Sequence, residues 1–191
     1  LSVFFIHNSS FFSAMNLWHE ISSGDKTPEI VNVIVECPKG TKNKYEIDKE
    51  TGLIKLDRAM KTSQDYPFDY GFVPQSLWDD GDPLDVAILT TYPLAPGILV
   101  EARPIAVMGM IDCGEGDDKI IAVPKSDPRW DDVKNLSDIN PHTLKEIQHF
   151  FETYKSIEKG KTVTVKGFKG KKEAFAAVKK GLSMYAKKFS K

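Results

Sequence analysis

Cysteine is scarce: Cys37 and Cys113 are the only two among 191 residues, and no Cys-x-x-Cys pair occurs. That argues against a disulfide framework and against a zinc site. It fits a reducing compartment, so a cytoplasmic protein is expected. The four histidines (His7, His19, His142, His149) form no metal-ligand pattern. No apolar run is long enough to span a bilayer, and no membrane partner is expected. Charge imbalance is missing too: the net charge is −1. Nothing overall addresses nucleic acid, although the C-terminal stretch is rich in Lys. There are no internal repeats and no low-complexity linker.

What remains is ordinary globular composition, 41% apolar and 28% charged, at a length that makes one domain and buries a real core. The start, Leu1 to Ala14, is rich in Phe and Ser and has no Met, Lys or Arg. It lacks the positive n-region and clean apolar core of a secretory signal. Met15 reads as the true start. Residues 1–14 are expected to be a flexible extension or upstream translation, and 15–191 a single domain.

Strands dominate the first two thirds. Val31 to Glu36 is β-branched and stops at Cys37-Pro38. Asn43–Asp48 and Leu53–Arg58 form a hairpin around Lys49–Gly52, with Ile54, Leu56 and Arg58 expected on one face. Residues 65–74 hold too much Pro and Gly for a helix and read as an irregular aromatic loop. Leu84–Thr90, Ile98–Ile111 (kinked at Pro104 or Gly109) and Lys119–Val123 read as further strands. Asn140-Pro141 is a helix start, Asn as N-cap and Pro at the first position. Leu144, Ile147, Phe151 and Tyr154 follow on one face, with Gly160 as the stop. A short strand at Thr162–Val165 precedes a helix over Lys171–Phe189, striped by Phe175, Val178, Leu182, Tyr185 and Phe189. The class is α+β: a small closed antiparallel β-barrel, OB-like, with two C-terminal helices packed outside.

The chemistry centres on Trp78-Asp79-Asp80-Gly81-Asp82-Pro83-Leu84-Asp85-Val86. Gly81 and Pro83 make a tight turn, and the chain then becomes an apolar strand. A solvated acidic turn would explain a lone Asp-Gly-Asp. It does not explain Asp85, a carboxylate carried into an apolar strand, which is costly unless paired. Crowded carboxylates take up a proton or a cation, and hard divalent cations prefer such ligands. The spacing fails the EF-hand template, so the cluster is a metal site of another kind. A second acidic turn, Asp112 to Asp118, also lies at strand ends. Against both stand Lys44, Arg58, Tyr66, Tyr70, Lys119, Tyr154 and Lys155. Singly, Lys44 with Glu46 reads as a solvent face and Tyr154 as the end of a core stripe. Together they suit a polyanion bridged by Mg²⁺, with Arg and Lys on the terminal oxygens. Metal-activated water, with Asp82 taking its proton, completes the parts of phosphoryl transfer to water.

Asp80-Gly81-Asp82-Pro83-Leu84-Asp85-Val86 resembles the D-G-D-P-x-D-V signature of family I soluble inorganic pyrophosphatases. Further blocks run in family order: Lys44-Tyr45-Glu46, Asp57-Arg58, Tyr66-Pro67 with Asp69-Tyr70-Gly71, Tyr92-Pro93-Leu94, Ala122-Val123-Pro124, and His149 to Lys155. The resemblance covers about residues 16–185 and is closest to prokaryotic members, archaeal ones included. It implies an OB-like barrel hydrolysing pyrophosphate to two phosphates with several Mg²⁺ ions. It implies Asp80, Asp85, Asp112 and Asp117 as metal ligands and Asp82 as the base. Glu36 and Glu46 would be outer metal or water-network residues. Lys44, Arg58, Tyr70, Lys119, Tyr154 and Lys155 would hold phosphate, with Tyr66 in support. It also implies a homohexamer. One departure is Cys113, where bacterial relatives often carry an acid. It bears on a secondary hydrogen bond, not on the metal ligands.

Two rivals stand beside this reading. One is a non-catalytic OB-type module for nucleic acid or polyphosphate, which would need a basic groove where this chain has acidic turns. The other is a structural Ca²⁺ domain, which has no use for Lys44, Arg58 and Lys155.

Overall fold

The computed structural model describes residues 15–189. The expected extension at 1–14 lies outside the described residues. The strands are β1 (Val31–Cys37), β2 (Asn43–Ile47), β3 (Ile54–Ala59), β4 (Asp69–Phe72), β5 (Asp85–Ile88), β6 (Leu99–Asp112), β7 (Glu115–Gly116), β8 (Lys119–Pro124) and β9 (Val163–Lys169). The helices are α1 (Pro141–Thr153) and α2 (Lys171–Phe189), with short 3₁₀ turns at Pro128–Trp130 and Leu136–Asp138. The α+β class holds, and α2 packs against β6 while α1 packs against β9.

The large sheet runs β1-β4-β5-β8-β6-β7, with β9 also on β6. β1 pairs with both β4 and β6, so the pairings return on themselves through β1, β4, β5, β8 and β6. β2 and β3 form a separate hairpin. β6 is long enough to serve β1, β8, β7 and β9 because it bends. Its register shifts between Pro104 and Ala106 on β8 and between Gly109 and Met110 on β9, the two kink positions expected.

Several expectations need correction. The pairing is not wholly antiparallel: β5 and β8 run parallel, Asp85 opposite Lys119. Both strands therefore start at the same end, beside the two acidic turns. Residues 65–74 are not all loop. Between Pro67 and Pro74 lies β4, buried throughout, because Gly71 lets it approach β1 closely. In the hairpin, a bulge pairs Lys44 with Arg58 but Tyr45 with Leu56. The bulge falls at Asp57, so Arg58 does not simply continue the alternation of Ile54 and Leu56, and Leu56 is 58% exposed. α1 ends at Thr153, not Gly160, so Tyr154 and Lys155 stand just past its last turn. Its start is as read: the Asn140 side chain accepts from the His142 N–H at 2.8 Å. Of the stripe expected on α2, Val178 is buried and Leu182 and Tyr185 pack at the core's edge, but the other buried residues are small, Ala174, Ala177 and Gly181, and Phe189 is 38% exposed.

The core has three neighbouring parts. Tyr66, Phe68 and Tyr70 pack with Phe150, Phe151 and Tyr154 from the end of α1. Val31, Val33, Trp78, Val86 and Ile120 pack under α2. Trp18, Ile34, Phe72 and Leu77 close a third cluster.

Candidate active site

The parallel start of β5 and β8 sets the centre. Lys119, 2% exposed, donates to Asp85 Oδ2 at 2.5 Å and also to Asp117. Tyr70, on β4 beside β5, donates its hydroxyl to the same Asp85 oxygen at 2.6 Å. Burial by itself pushes the Lys119 pKa down. Asp85 and Asp117 outweigh that and hold it charged. Asp85 feels the reverse: burial raises its pKa, Lys119 opposes this, and Asp117 adds to it.

The first acidic turn is closed by its own backbone. Trp78 N–H donates to the Asp82 carbonyl at 2.7 Å, and Gly81 N–H donates to the Trp78 carbonyl at 3.0 Å. Gly81 takes φ +85°, which a side chain disfavours. Asp80 Oδ1 accepts the Asp82 N–H at 3.0 Å. Its pKa is raised to about 7 by burial and by Asp117, Asp85 and Asp82. Asp82 is half exposed and ion-paired with Lys49. At the second turn, Asp112 is bound by Lys155. Burial pushes its carboxyl up, and the Lys155 bond and charge bring it below the usual range.

Around these lie the phosphate-type donors. Lys44 bonds Glu46 at 2.9 Å and sits 3.4 Å from Asp57. Glu36 is buried and accepts the Ile47 N–H at 2.7 Å; its pKa is raised by burial and by Asp85. Burial keeps the Tyr70 and Tyr154 hydroxyls protonated, as donors.

These side chains line one cavity of about 410 Å³. Every sequence-predicted site residue borders it except Arg58. That guanidinium is bound to Asp57 and lies 3.7 Å from Glu158. Sequence reasoning missed Lys49, Lys161 and Phe151 as lining residues, and Glu115 as more than part of a turn. Lys49 lay in a predicted hairpin turn, and nothing in the spacing of Lys161 distinguished it from the other C-terminal lysines.

Among the described residues, no three His, Cys, Asp or Glu groups converge as a ready metal cage. Asp82, Asp85, Asp112 and Asp117 are paired with lysines instead. The donor set still fits a hard divalent cation, being all oxygen and in excess of its cations near Asp80. Asp112 Oδ1 is buried with no hydrogen-bond partner, which a cation would relieve.

A pocket that sets carboxylates against lysines and phenols on an α+β sheet defines a phosphate-handling hydrolase. The chain belongs to the inorganic pyrophosphatase family, whose profile, "Inorganic pyrophosphatase", matches residues 33–186. It is 45% identical over 176 residues to an inorganic pyrophosphatase of Haloferax volcanii, covering 92% of this chain and 99% of that one. The crystal structure of inorganic pyrophosphatase from Thermus thermophilus superposes with a TM-score of 0.87 at 46% identity, covering 90% of this chain and 99% of that chain. A truncated vacuolar soluble pyrophosphatase of Trypanosoma cruzi, solved in complex with PPi, gives 0.80 at 25% identity, over 89% of this chain and 78% of that one. Family membership leaves the non-catalytic binding module without support. No helix among the described residues is long and apolar enough to cross a membrane.

Proposed function

We propose that the chain hydrolyses inorganic pyrophosphate to two orthophosphates at this cavity, with Mg²⁺ as the divalent cation. One observation carries the reading: Asp85 joins Lys119 and Tyr70 in a cavity that also holds Asp80, Asp82, Asp112 and Asp117. Asp80, Asp85, Asp112 and Asp117 would hold Mg²⁺, with Glu36, Glu46 and Tyr66 supporting them. Bound there, Mg²⁺ supplies positive charge for the phosphoryl oxygens and acidifies water.

The chain's own side chains do the rest. Lys44, Lys119 and Lys155 present ammonium groups, Arg58 a guanidinium at the rim, and Tyr70 and Tyr154 neutral hydroxyl donors, all for phosphate oxygens. Asp82 is the base. It is half exposed, so water reaches it, while its backbone is fixed in the turn. Residues 15–191 form one such domain, the returning strands are its OB-like barrel, and it works in the cytoplasm as a homohexamer.

The test is phosphate release from pyrophosphate, with and without Mg²⁺, beside EDTA and Asp82→Asn controls. Fast Mg²⁺-dependent release is expected, with Asp82→Asn slower by about a hundredfold or more and its circular dichroism unchanged. Near-normal turnover in Asp82→Asn would sink the role given to that carboxylate. No release from the folded, Mg²⁺-loaded chain would overturn the activity.

A further inference from the structure

We infer that Lys180, on α2, is a positioning residue that braces the first acidic turn against that helix. The inference rests on the metal-site assignment above. Lys180 Nζ lies 4.1 Å from the centre of the Trp78 ring and donates to Asp79 Oδ2 at 2.6 Å. Both partners begin the first acidic turn, immediately ahead of Asp80. Trp78 closes that turn through its N–H and its carbonyl. Its buried indole N–H has no hydrogen-bond partner, so no bond of its own fixes the ring. Core packing under α2 holds the inner part of the ring, and the ammonium adds a cation–π contact on top of it.

The same helix holds the flanks. Gly181, the next residue, accepts the Leu77 N–H at 3.0 Å, and a Cβ on it would stand 3.4 Å from the Leu84 side chain. Leu77 and Leu84 bracket the turn on either side. The Asp79 carboxylate, in turn, reaches the second acidic turn. It lies 3.4 Å from where a Gly116 Cβ would be, between Asp112 and Asp117. One cation thus ties α2 to the turn bearing Asp80 and Asp82, with the turn bearing Asp112 and Asp117 close by. Mg²⁺ demands near-ideal octahedral geometry, so a small drift of the turn that carries Asp80 weakens its binding.

The experiment titrates Mg²⁺ calorimetrically into the full chain without substrate, then measures turnover at saturating Mg²⁺. Lys180→Met keeps the apolar stem and removes the charge. It is expected to weaken Mg²⁺ binding about tenfold while kcat at saturating Mg²⁺ stays within about twofold. Lys180→Arg keeps a cation over the ring and a donor to Asp79, and it is expected to bind Mg²⁺ as the unaltered chain does. Asp79→Asn removes the same link from a half-exposed position, in case Lys180→Met does not fold. Unchanged Mg²⁺ affinity in the folded Lys180→Met or Asp79→Asn chain overturns the inference, even if its Tm falls, because that is a structural role alone. Asp80→Asn and Asp117→Asn are titrated alongside. If these also bind Mg²⁺ normally, the site assignment falls and the brace with it. If only these two lose binding, the brace alone falls.

Discussion

Lys119 shows how one side chain can be structural and chemical at once. It is almost wholly buried, and two carboxylates face it. Removing one member of a buried charge group strands the others, which costs more than the group contributes when whole. Lys119→Met is therefore expected to lose about 3 kcal/mol of stability, read by urea unfolding in EDTA. Adding Asp117→Asn should return part of that loss, because fewer stranded charges remain. Equal stability for Lys119→Met and the unaltered chain would mean that Asp85 and Asp117 do not depend on this ammonium. Asp85 itself was legible in the sequence for a plain reason: an acid inside an apolar strand calls for a partner. Lys49 was not, because a lysine in a hairpin turn looks like every other solvated lysine until the turn is placed beside Asp82.

At the level of elements, local signals were read well wherever they were strong. The β-branched run of β1, the Asn140-Pro141 cap of α1 and the bends of β6 are all as expected. The errors fell where tertiary packing overrode composition. β4 hid behind its prolines because its strand character depends on β1 lying alongside. The parallel β5–β8 pair has no local signature at all, since register across a long crossover is not written in either strand. The α2 stripe was only partly right because large apolar residues were favoured over the small ones, Ala174, Ala177 and Gly181, that join Val178 on its buried face. Two glycines separate true close approach from ordinary contact. At Gly71 a Cβ would lie 2.0 Å from the Ile34 carbonyl oxygen, a backbone atom that cannot yield. Gly71→Ala is expected to cost about 3 kcal/mol or more, since β1 and β4 must part. At Gly181 a Cβ would meet Leu84 and Leu77 at ordinary contact distance. There the helix propensity of Ala dominates, and Gly181→Ala should gain about 0.5–1 kcal/mol. Thermal unfolding of both variants checks the contrast, and a Gly71→Ala chain as stable as the unaltered one would refute the close-approach account of β4.

Over the whole molecule the charges nearly cancel, with 27 acidic against 26 basic side chains, yet they are unevenly placed. Five aspartates face one cavity, while α2 carries many of the lysines. Such a concentration of carboxylates opposes folding unless cations answer it, and the lysines answer only in part: Asp80 is left among other acids. The folded chain should therefore gain stability from any divalent cation that its unfolded form does not bind. At a free Mg²⁺ concentration one hundred times the dissociation constant, the gain is about 2.7 kcal/mol for each bound ion. For a chain of this size that raises Tm by roughly 5–10 °C. Scanning calorimetry with Mg²⁺, and with EDTA at matched ionic strength and fixed protein concentration, reads it directly. In Asp85→Asn, measured against its own EDTA baseline, most of the gain should vanish. An equal gain in both chains would place the responsible cation elsewhere on the surface, and the cavity would lose its claim to the metal.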